Sequence, residues 1–343
     1  MQGEVLKEKS SFWKKLQKLG RSDEFVAFIP LVALLVIVQI VNQNYLSWQN
    51  LSTLLNLVPY TAICCLGNAL VIMTGSADIS VGKTAGLSCM VFGWLIKIAG
   101  FPSWAAILGG LAVGVIIGWI NSFFIFNLNL PSFIVTLGMS YAIGSCRYFL
   151  SAGYPYTDLG AGLKEFGNAT FLDLNYAFYI CVALYIVVSI MLAKTTFGRK
   201  IKAVGDNSEV AALSGINVVK IKRFSRLVCG LIVASAGILL AINQDYAAPT
   251  TGTGWEFTCM AACAIGGVSL SGGKGSGVCI ALGMLTMMFL NNAVIMLGID
   301  SKLSGMFTGI FLMAAASLDM IKSRRKINAE AIDEDVEEEL SAA

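Results

Sequence analysis

The chain has 343 residues; 56% of them are hydrophobic, only 13% are charged, and the mean hydropathy is +0.74. Soluble globular domains are usually about 45–50% apolar and about a quarter charged. The composition therefore excludes a soluble enzyme, a disordered scaffold and a nucleic-acid-binding protein, and it indicates an integral membrane protein. The absence of histidine excludes His-ligated metal sites and catalysis that uses imidazole. The nine cysteines lie mostly in apolar stretches and are interpreted as small buried hydrophobes rather than a disulfide framework or a metal site.

Basic residues concentrate in three short blocks. Of the 24 Lys and Arg residues, six lie in the first 25 positions, eight lie between 194 and 226, and four follow the last apolar run. Short basic flanks of membrane spans stay in the cytoplasm. The pattern predicts a cytoplasmic N-terminal segment over 1–25, a transmembrane domain over 26–321 with a cytoplasmic loop at 194–224, and a cytoplasmic acidic tail over 322–343.

Ten apolar runs are candidates for membrane spans, because a helix needs about 20 apolar residues to cross a hydrocarbon core about 30 Å thick. Six runs precede the central basic loop and four follow it, so an even number of crossings separates the basic blocks. We therefore predict an all-α polytopic membrane protein with about ten transmembrane helices and both termini in the cytoplasm. The first run is expected to remain as a signal anchor. The runs lie near 26–42, 54–74, 82–99, 103–126, 132–150, 174–193, 225–243, 257–270, 277–297 and 304–321.

Glycines recur at every fourth position of the fourth run, at Gly110, Gly114 and Gly118. Small residues with this spacing let helix backbones approach closely in lipid, where no hydrophobic driving force acts between helices. The stripe predicts a helix-packing face, and it needs no functional explanation.

The segment 74–83, between the second and third runs, is rich in glycine and small polar residues. Such a sequence indicates a broken helix or a tight re-entrant turn, which membranes tolerate only where the backbone is buried in protein or lines a watery cavity. Two interpretations of Asp78 stay open. It faces a translocation pathway, or it caps the next helix through the N–H groups of Ser80 and Val81.

The central loop at 198–217 carries the pattern of a short helix outside the membrane. Asp206 and Glu209 have capping-box spacing, and Gly215 suits the C′ position that ends a helix. A capped helix here favours docking into the groove of a partner; a helix lying on the membrane surface is the alternative. The residues assigned to docking are Arg199, Asp206, Asn207, Glu209, Ala211, Ala212, Ser214 and Gly215.

The segment 266–277 is superficially similar to a phosphate-binding loop but lacks its pattern. Val268 stands where a P-loop requires glycine, and Gly275 stands where it requires serine or threonine. Any nucleotide energy must therefore come from another subunit. The segment also aligns without gaps with 75–86, which suggests an internal duplication with a hinge in each half. The predicted hinge glycines are Gly75, Gly82, Gly267, Gly272, Gly273 and Gly275.

These segments resemble the ribose-type permeases of bacterial ABC sugar importers, and the likeness extends in order over about residues 25–320. One departure is Ala77, where the family pattern has a larger aliphatic residue, and this bears on substrate fit. The matching positions are Gly75, Asp78, Ser80, Val81 and Gly82 in the first hinge; Pro131, Phe133, Ile134, Thr136 and Leu137; Gly198, Arg199, Gly205, Asn207, Ala211, Ala212, Ser214, Gly215, Ile216 and Asn217 in the loop; and Gly252, Gly254, Glu256, Gly267, Ser269, Leu270, Gly272, Gly273, Lys274, Gly275, Asn291 and Asn292.

The resemblance implies a type II ABC importer-like permease in the bacterial plasma (inner) membrane. It implies a homodimer in lipid, served by an extracytoplasmic sugar-binding protein, with separate ATPase subunits that grip the loop at 199–217. It implies no cofactor in this chain, since ATP and magnesium would sit on the ATPase. The permease itself would be a transport subunit and not an enzyme.

A neutral sugar needs hydrogen-bonding and aromatic groups along its path rather than an ion ladder. The candidates are Asn68, Ser76, Asp78 and Asn121, with Asn243, Gln244, Tyr246, Trp255 and Glu256 towards the outer mouth. The outer loops at 151–173 and 244–256 are expected to receive the binding protein.

Three alternatives remain at the level of sequence. The first is an ABC permease for a nucleoside or another small polar solute. An ion-coupled secondary transporter would be expected to carry paired acids and bases within its spans, and these spans hold few. An intramembrane transferase would need clustered aspartates or another catalytic constellation, and the sequence shows none.

Overall fold

The structure is a computed structural model that describes residues 23–300, 303–317 and 320. Residues 1–22 and the predicted acidic tail lie outside the described residues. The side of the membrane that each terminus reaches therefore stays a prediction.

The described part of the chain consists mainly of helices joined by short connections, with four strands of two residues each. The helices are α1 (Asp23–Val41), α2 (Trp48–Leu57), α3 (Pro59–Ile72), α4 (Val81–Lys97), α5 (Ser103–Asn127), α6 (Ser132–Ser151), α7 (Ala161–Asn168), α8 (Tyr176–Lys194), α9 (Thr196–Asp206), α10 (Ser208–Leu213), α11 (Val218–Gln244), α12 (Trp255–Ile265), α13 (Gly277–Met296) and α14 (Ser304–Ser317). The strands are β1 (Tyr156–Thr157), β2 (Thr170–Phe171), β3 (Leu174–Asn175) and β4 (Tyr246–Ala247). Strand β1 pairs antiparallel with β4, and β2 with β3.

Among the described residues, five helices are long and apolar enough to cross a membrane, namely α5, α6, α8, α11 and α13. A sixth crossing forms if α2 and α3, which meet at 50°, count as one broken span. Pro59 is the first residue of α3, a position where the missing N–H costs no helix hydrogen bond. The bend between α2 and α3 therefore falls at the start of a helix, where proline removes no helix hydrogen bond.

The other four predicted spans also coincide with helices, but three of these helices, α4, α12 and α14, have fewer than 18 residues. Helix α12 has 11 residues and extends about 16 Å, roughly half of a hydrocarbon core. The predicted run 257–270 ends early because Gly267 takes a φ of 83°, a left-handed conformation that stops the helix. The described residues thus show five or six candidate spans, and the count of ten stays a prediction.

Helix α11 lies at the centre of the bundle and packs against α3, α4 and α5. The predicted glycine stripe lies on the face of α5 that contacts α11. A Cβ on Gly114 would lie 2.1 Å from the Gly230 carbonyl oxygen, and a Cβ on Gly230 would lie equally close to the Gly114 oxygen. Gly118 meets the backbone of Arg226 in the same way. The prediction of a packing face is therefore confirmed.

The two ends of α11 mark the two ends of the bundle. Its first residue follows α9 and α10, so this end is called the loop end. Its last turn lies beside α7, where the Asn243 side chain donates to the Gly167 carbonyl at 3.0 Å, and it leads into the β1–β4 pair. Lys164 and Asp245 form an ion pair of 3.1 Å at this opposite end.

Replacing Gly114 with leucine should destabilise the bundle, because the new side chain has to push α5 away from α11. Overpacking a close contact costs about 1–3 kcal/mol of the free energy of unfolding. The measurement is the thermal midpoint of the purified protein in detergent, followed by size-exclusion chromatography after heating. Gly138→Leu is the matched control, because a Cβ at Gly138 meets nothing within 4 Å. Equal midpoints for the two variants would contradict the packing assignment.

Candidate functional site: docking loop, glycine joint and buried polar centre

The central loop at 198–217, called the docking loop after its predicted role, contains two successive helices, α9 and α10, where the sequence predicted one short helix. Thr195 caps α9 by accepting from the Gly198 N–H at 3.2 Å. Ile201 and Val204 are fully buried, so α9 is anchored to the bundle instead of projecting freely from it.

The predicted capping box of Asp206 and Glu209 is wrong. Asp206 is the last residue of α9, and the chain becomes extended only at Asn207, with φ −150° and ψ 109°. The cap of α10 therefore falls on Asn207, whose Oδ1 accepts from the N–H groups of Glu209 at 2.9 Å and Val210 at 3.1 Å. Because one face of α9 is buried, this helix continues through Asp206, the residue that the local sequence pattern assigned to the cap of the next helix.

Gly215 occupies the C′ position of α10, as predicted. Its φ is 78°, its N–H donates to the Ala212 carbonyl at 2.9 Å, and the next N–H, of Ile216, donates to Ala211 at 3.0 Å. This pair of bonds is a Schellman motif. Helix α10 is thus closed at both ends by its own residues.

The outer surface of α10 is apolar and exposed. Leu213 is 89% exposed and Val210 is 56% exposed, whereas Ala211 is buried. Sequence reasoning missed Val210 and Leu213, although two large apolar residues on a polar loop are a usable signal of a binding surface. The other predicted docking residues are exposed, namely Arg199, Asp206, Asn207, Glu209, Ala212, Ser214 and Gly215.

Three glycine-containing segments meet beneath the docking loop, and this contact is called the glycine joint. It consists of residues 73–75, Gly205 with Asp206, and residues 271–273. The Gly273 N–H donates to the Met73 carbonyl at 3.0 Å. A Cβ on Gly205 would lie 1.9 Å from that same carbonyl oxygen and 2.4 Å from the Gly273 nitrogen. The three backbones are therefore in direct contact.

Most of the predicted hinge glycines adopt conformations that favour glycine. Positive φ angles occur at Gly75, Gly267, Gly272, Gly273 and Gly275. Gly82 instead lies in the first turn of α4, where a Cβ would come within 2.3 Å of the Gly252 carbonyl oxygen. Gly82 therefore permits a close approach of chains.

The proposed internal duplication does not hold in its ungapped form. Both segments follow a helix, contain a glycine at positive φ and lead to a serine that precedes the next helix. Gly266, which the ungapped alignment pairs with Gly75, has a φ of −69°, and the second connection is three residues longer than the first. Ser271 and Gly273 lie within this longer loop and do not correspond to Ser80 and Gly82.

A network of four polar side chains lies inside the bundle, between the 73–80 segment, α5 and α11. This buried polar centre consists of Asp78, Ser80, Asn121 and Arg226, each at most 5% exposed. Asp78 Oδ1 accepts from the Ser80 N–H at 2.9 Å and from its hydroxyl at 2.7 Å, and Asp78 Oδ2 lies 3.3 Å from Arg226 Nη1. Asn121 donates to the Ser80 hydroxyl at 3.0 Å.

Asp78 therefore stabilises the turn before α4, through Ser80 but not through Val81, and it also carries a buried ion pair. Sequence reasoning missed Arg226, which it counted among the basic residues of the loop. A usable signal was present, since Arg226 lies within the predicted span 225–243 and an ionised residue there calls for a partner. A small cavity adjoins the centre and is also lined by Thr84, Gly114 and Gly118.

A second charged group connects α4, α6 and the start of α12. Lys83 Nζ lies 3.8 Å from Glu256 Oε1, and buried Arg147 donates to the Thr251 carbonyl. Glu256 is only 5% exposed and fills the space that a side chain at Gly82 would occupy. Glu256 thus lies within the bundle, deeper than the outer-mouth position predicted for it.

The remaining pathway candidates are distributed between the interior and the far end. Asn68 is fully buried on α3, and Ser76 and Trp255 are half-buried. Gln244 and Tyr246 are exposed beside Asn243 at the end opposite the docking loop. The structure brings Asp78 and Asn121 together in the polar centre, and it leaves the other candidates apart from them.

Removing the Arg226 charge should be far more damaging than removing a surface charge. Arg226→Met leaves a buried, unpaired carboxylate at Asp78, which typically costs about 3–5 kcal/mol. Lys164→Met is the control, because the Lys164 side chain is 56% exposed and pairs at the surface contribute about 0–1 kcal/mol. Unfolding in detergent measures both, and Asp78→Asn added to Arg226→Met should recover part of the loss. Similar destabilisation by the two single variants would contradict the assignment.

Comparison with known proteins identifies the family. A family model described as "Branched-chain amino acid transport system / permease component" matches residues 50–316. The ribose import permease of Bacillus subtilis (strain 168) is 34% identical over 310 residues, which cover 90% of this chain and 94% of the relative. The ribose import permease of Escherichia coli (strain K12) is 32% identical over 297 residues, covering 85% and 92%.

The autoinducer 2 import system permease of Salmonella typhi is 28% identical over 304 residues, covering 89% of this chain and 87% of the relative. No solved structure gives a significant match. The match to the family model and the identity to the two ribose import permeases confirm the resemblance that the motifs predicted. The chain therefore belongs to this family of multi-pass membrane permease components.

Proposed function

We propose that this chain is the transmembrane subunit of an ATP-binding-cassette importer for a monosaccharide, a ribose-like pentose or a hexose, in the bacterial inner membrane. The observation that carries the proposal is the similarity to two ribose import permeases over nearly the whole of both chains. The chain would form the gated path, and ATP with magnesium would be bound and hydrolysed by separate subunits.

The docking loop supports the assignment of an ATPase partner. Helix α10 is capped at both ends, presents Val210 and Leu213 to the solvent, and is joined to a helix that the bundle holds firmly. A rigid apolar projection of this kind fits a hydrophobic groove on a partner.

The proposed topology has ten crossings, with both termini in the cytoplasm and two copies of the chain in the assembly. Helices occur at all ten predicted spans, if α2 and α3 form one crossing. Most of the basic residues between 194 and 226 lie in α9 and in the first turns of α11, at the loop end, as expected for the cytoplasmic side. The opposite end, with α7 and the β1–β4 pair, would receive the sugar-binding protein.

Transport would proceed by alternating access. Closure of the ATPases on ATP would draw the two docking loops together, and the two permease subunits would rock so that the path opens inward. The substrate is uncharged, so hydrogen-bonding side chains along the path can replace its hydration without a compensating ion.

Purified permease, reconstituted in liposomes with its ATPase and binding protein, should show sugar uptake that ATP drives and vanadate blocks. The permease alone should neither hydrolyse ATP nor accumulate sugar, because the power stroke lies in the partner. Radiolabelled ribose, a hexose and a nucleoside, each tested separately, distinguish the solute classes. Uphill accumulation by the lone permease would contradict the proposal, and uptake of the nucleoside alone would favour the other class of ABC permease.

Leu213→Arg should prevent ATPase binding while membrane insertion stays normal, because a charge replaces an apolar contact at the tip of α10. A hot-spot residue of an interface costs about 2 kcal/mol or more when it is lost, so with Leu213 as the hot spot the affinity should fall at least about 30-fold. The matched control is Leu172→Arg, since Leu172 is 69% exposed and lies in the β2–β3 turn, away from the docking loop. Co-purification and titration of the ATPase measure the effect, and unchanged binding by Leu213→Arg would remove α10 as the docking surface.

A further inference from the structure

We propose that residues 73–80 are a lever that transmits movement of the docking loop to the buried polar centre, with Gly205, Gly272 and Gly273 as positioning residues for transport. This inference rests on the proposed function and concerns how ATPase docking reaches the interior of the permease. The lever segment is defined as residues 73–80. It is held at both ends by contacts to different parts of the chain.

The first end of the lever segment approaches the backbone of the docking loop closely. The space between the Met73 carbonyl and Gly205 is too small for a side chain at position 205. A Cβ on Gly272 would lie 2.7 Å from the Gly75 nitrogen and 2.8 Å from the Gly205 oxygen. Gly272 therefore fits between the lever segment and the loop and contacts both.

The second end of the lever segment is fixed to α11 and α5. Arg226 Nη1 meets Asp78 Oδ2 at 3.3 Å, and Arg226 Nη2 donates to the Ala77 carbonyl at 3.4 Å. Asn121, on α5, donates to the Ser80 hydroxyl. These contacts bind the turn before α4 to the two helices that pack most closely at the centre of the bundle.

The connection between the two ends is short. Only Ser76 and Ala77 separate Gly75 from Asp78, so the two Cα atoms lie at most about 11 Å apart. A displacement at the glycine joint cannot be absorbed by a long flexible loop. It has to change the position of Asp78 relative to Arg226 or to break a contact at one end.

Close backbone contact explains why glycine occupies these positions. A side chain at Gly205 or Gly273 would separate the docking loop from the lever segment, since a Cβ at Gly273 would lie 2.7 Å from the Asp206 Cα. Protein interiors pack densely, and well-packed contacts transmit displacement instead of deforming. The docking surface of α10 is not part of this contact, so docking and transmission are separable by substitution.

The test uses the complete complex of permease, ATPase and binding protein. Gly205→Ala should leave ATPase binding intact but lower the amount of sugar transported per ATP hydrolysed by at least about fivefold, the lower end of typical coupling effects. Gly138→Ala is the control, because a Cβ there meets nothing within 4 Å. A transport-to-hydrolysis ratio equal to that of the control would overturn the proposal.

A second measurement uses the unaltered complex and does not depend on the folding of a variant. Hydrogen–deuterium exchange is compared before and after the ATPase is trapped with ATP and vanadate. The exchange rates of peptides covering 73–80 and 271–273 should change by about fivefold or more, while a peptide from α5 within 103–118 should not change. Unchanged exchange in the first two peptides would overturn the proposal, even if Gly205→Ala failed to assemble.

The two proposals fail in different ways. If the unaltered complex shows no ATP-driven sugar uptake, the proposed function is wrong. If it transports sugar and yet neither the coupling ratio of Gly205→Ala nor the exchange of the lever segment changes, the function stands and the lever is wrong.

Discussion

The contact of Gly205 with the Met73 carbonyl is the constraint on which the arrangement of the loop end depends. Three stretches that are far apart in the sequence have to meet there as bare backbone, and the Gly273 N–H has to find the Met73 oxygen. In a lipid environment an unpaired carbonyl is costly, so the break after α3 is tolerable only because another segment satisfies it. The docking loop and both glycine-rich breaks are therefore parts of one structure.

The buried charges of the bundle also need partners, as the buried backbone groups do. Asp78 is paired with Arg226, and Glu256 with Lys83, so each of the two carboxylates that are buried among the described residues has a basic partner. Both acids also lie beside the start of a helix, where the N-terminal dipole favours negative charge. The Asp78–Arg226 pair fixes the non-helical segment 73–80 to α11, whereas the Lys83–Glu256 pair joins the first turns of α4 and α12.

Local features could be predicted from the sequence because they depend on a few neighbouring residues. The glycine stripe of α5 and the left-handed end of α10 at Gly215 follow from spacing and from conformational preference. The sequence indicates that Arg226 needs a partner within the span, but it cannot identify Asp78 as that partner, because the two residues are 148 positions apart and neighbouring spans hold other charged residues. The cap of α10 falls on Asn207 because tertiary burial of Ile201 and Val204 sets where α9 ends. The short α12 likewise depends on where one glycine takes a positive φ.

The anchoring of α9 has a consequence for how the docking loop works. A loop held only at its ends would yield when a partner pushes on it, and the push would be lost in local deformation. Here Ile201 and Val204 are inserted in the bundle, and Gly198 packs against the last turn of α8. Force applied to Leu213 therefore passes into a helix that cannot move independently of its surroundings. Gly205 and Asp206, at the end of α9, contact the non-helical backbone of 73–75 and 271–273, so a movement of α9 would reach the break after α3 directly.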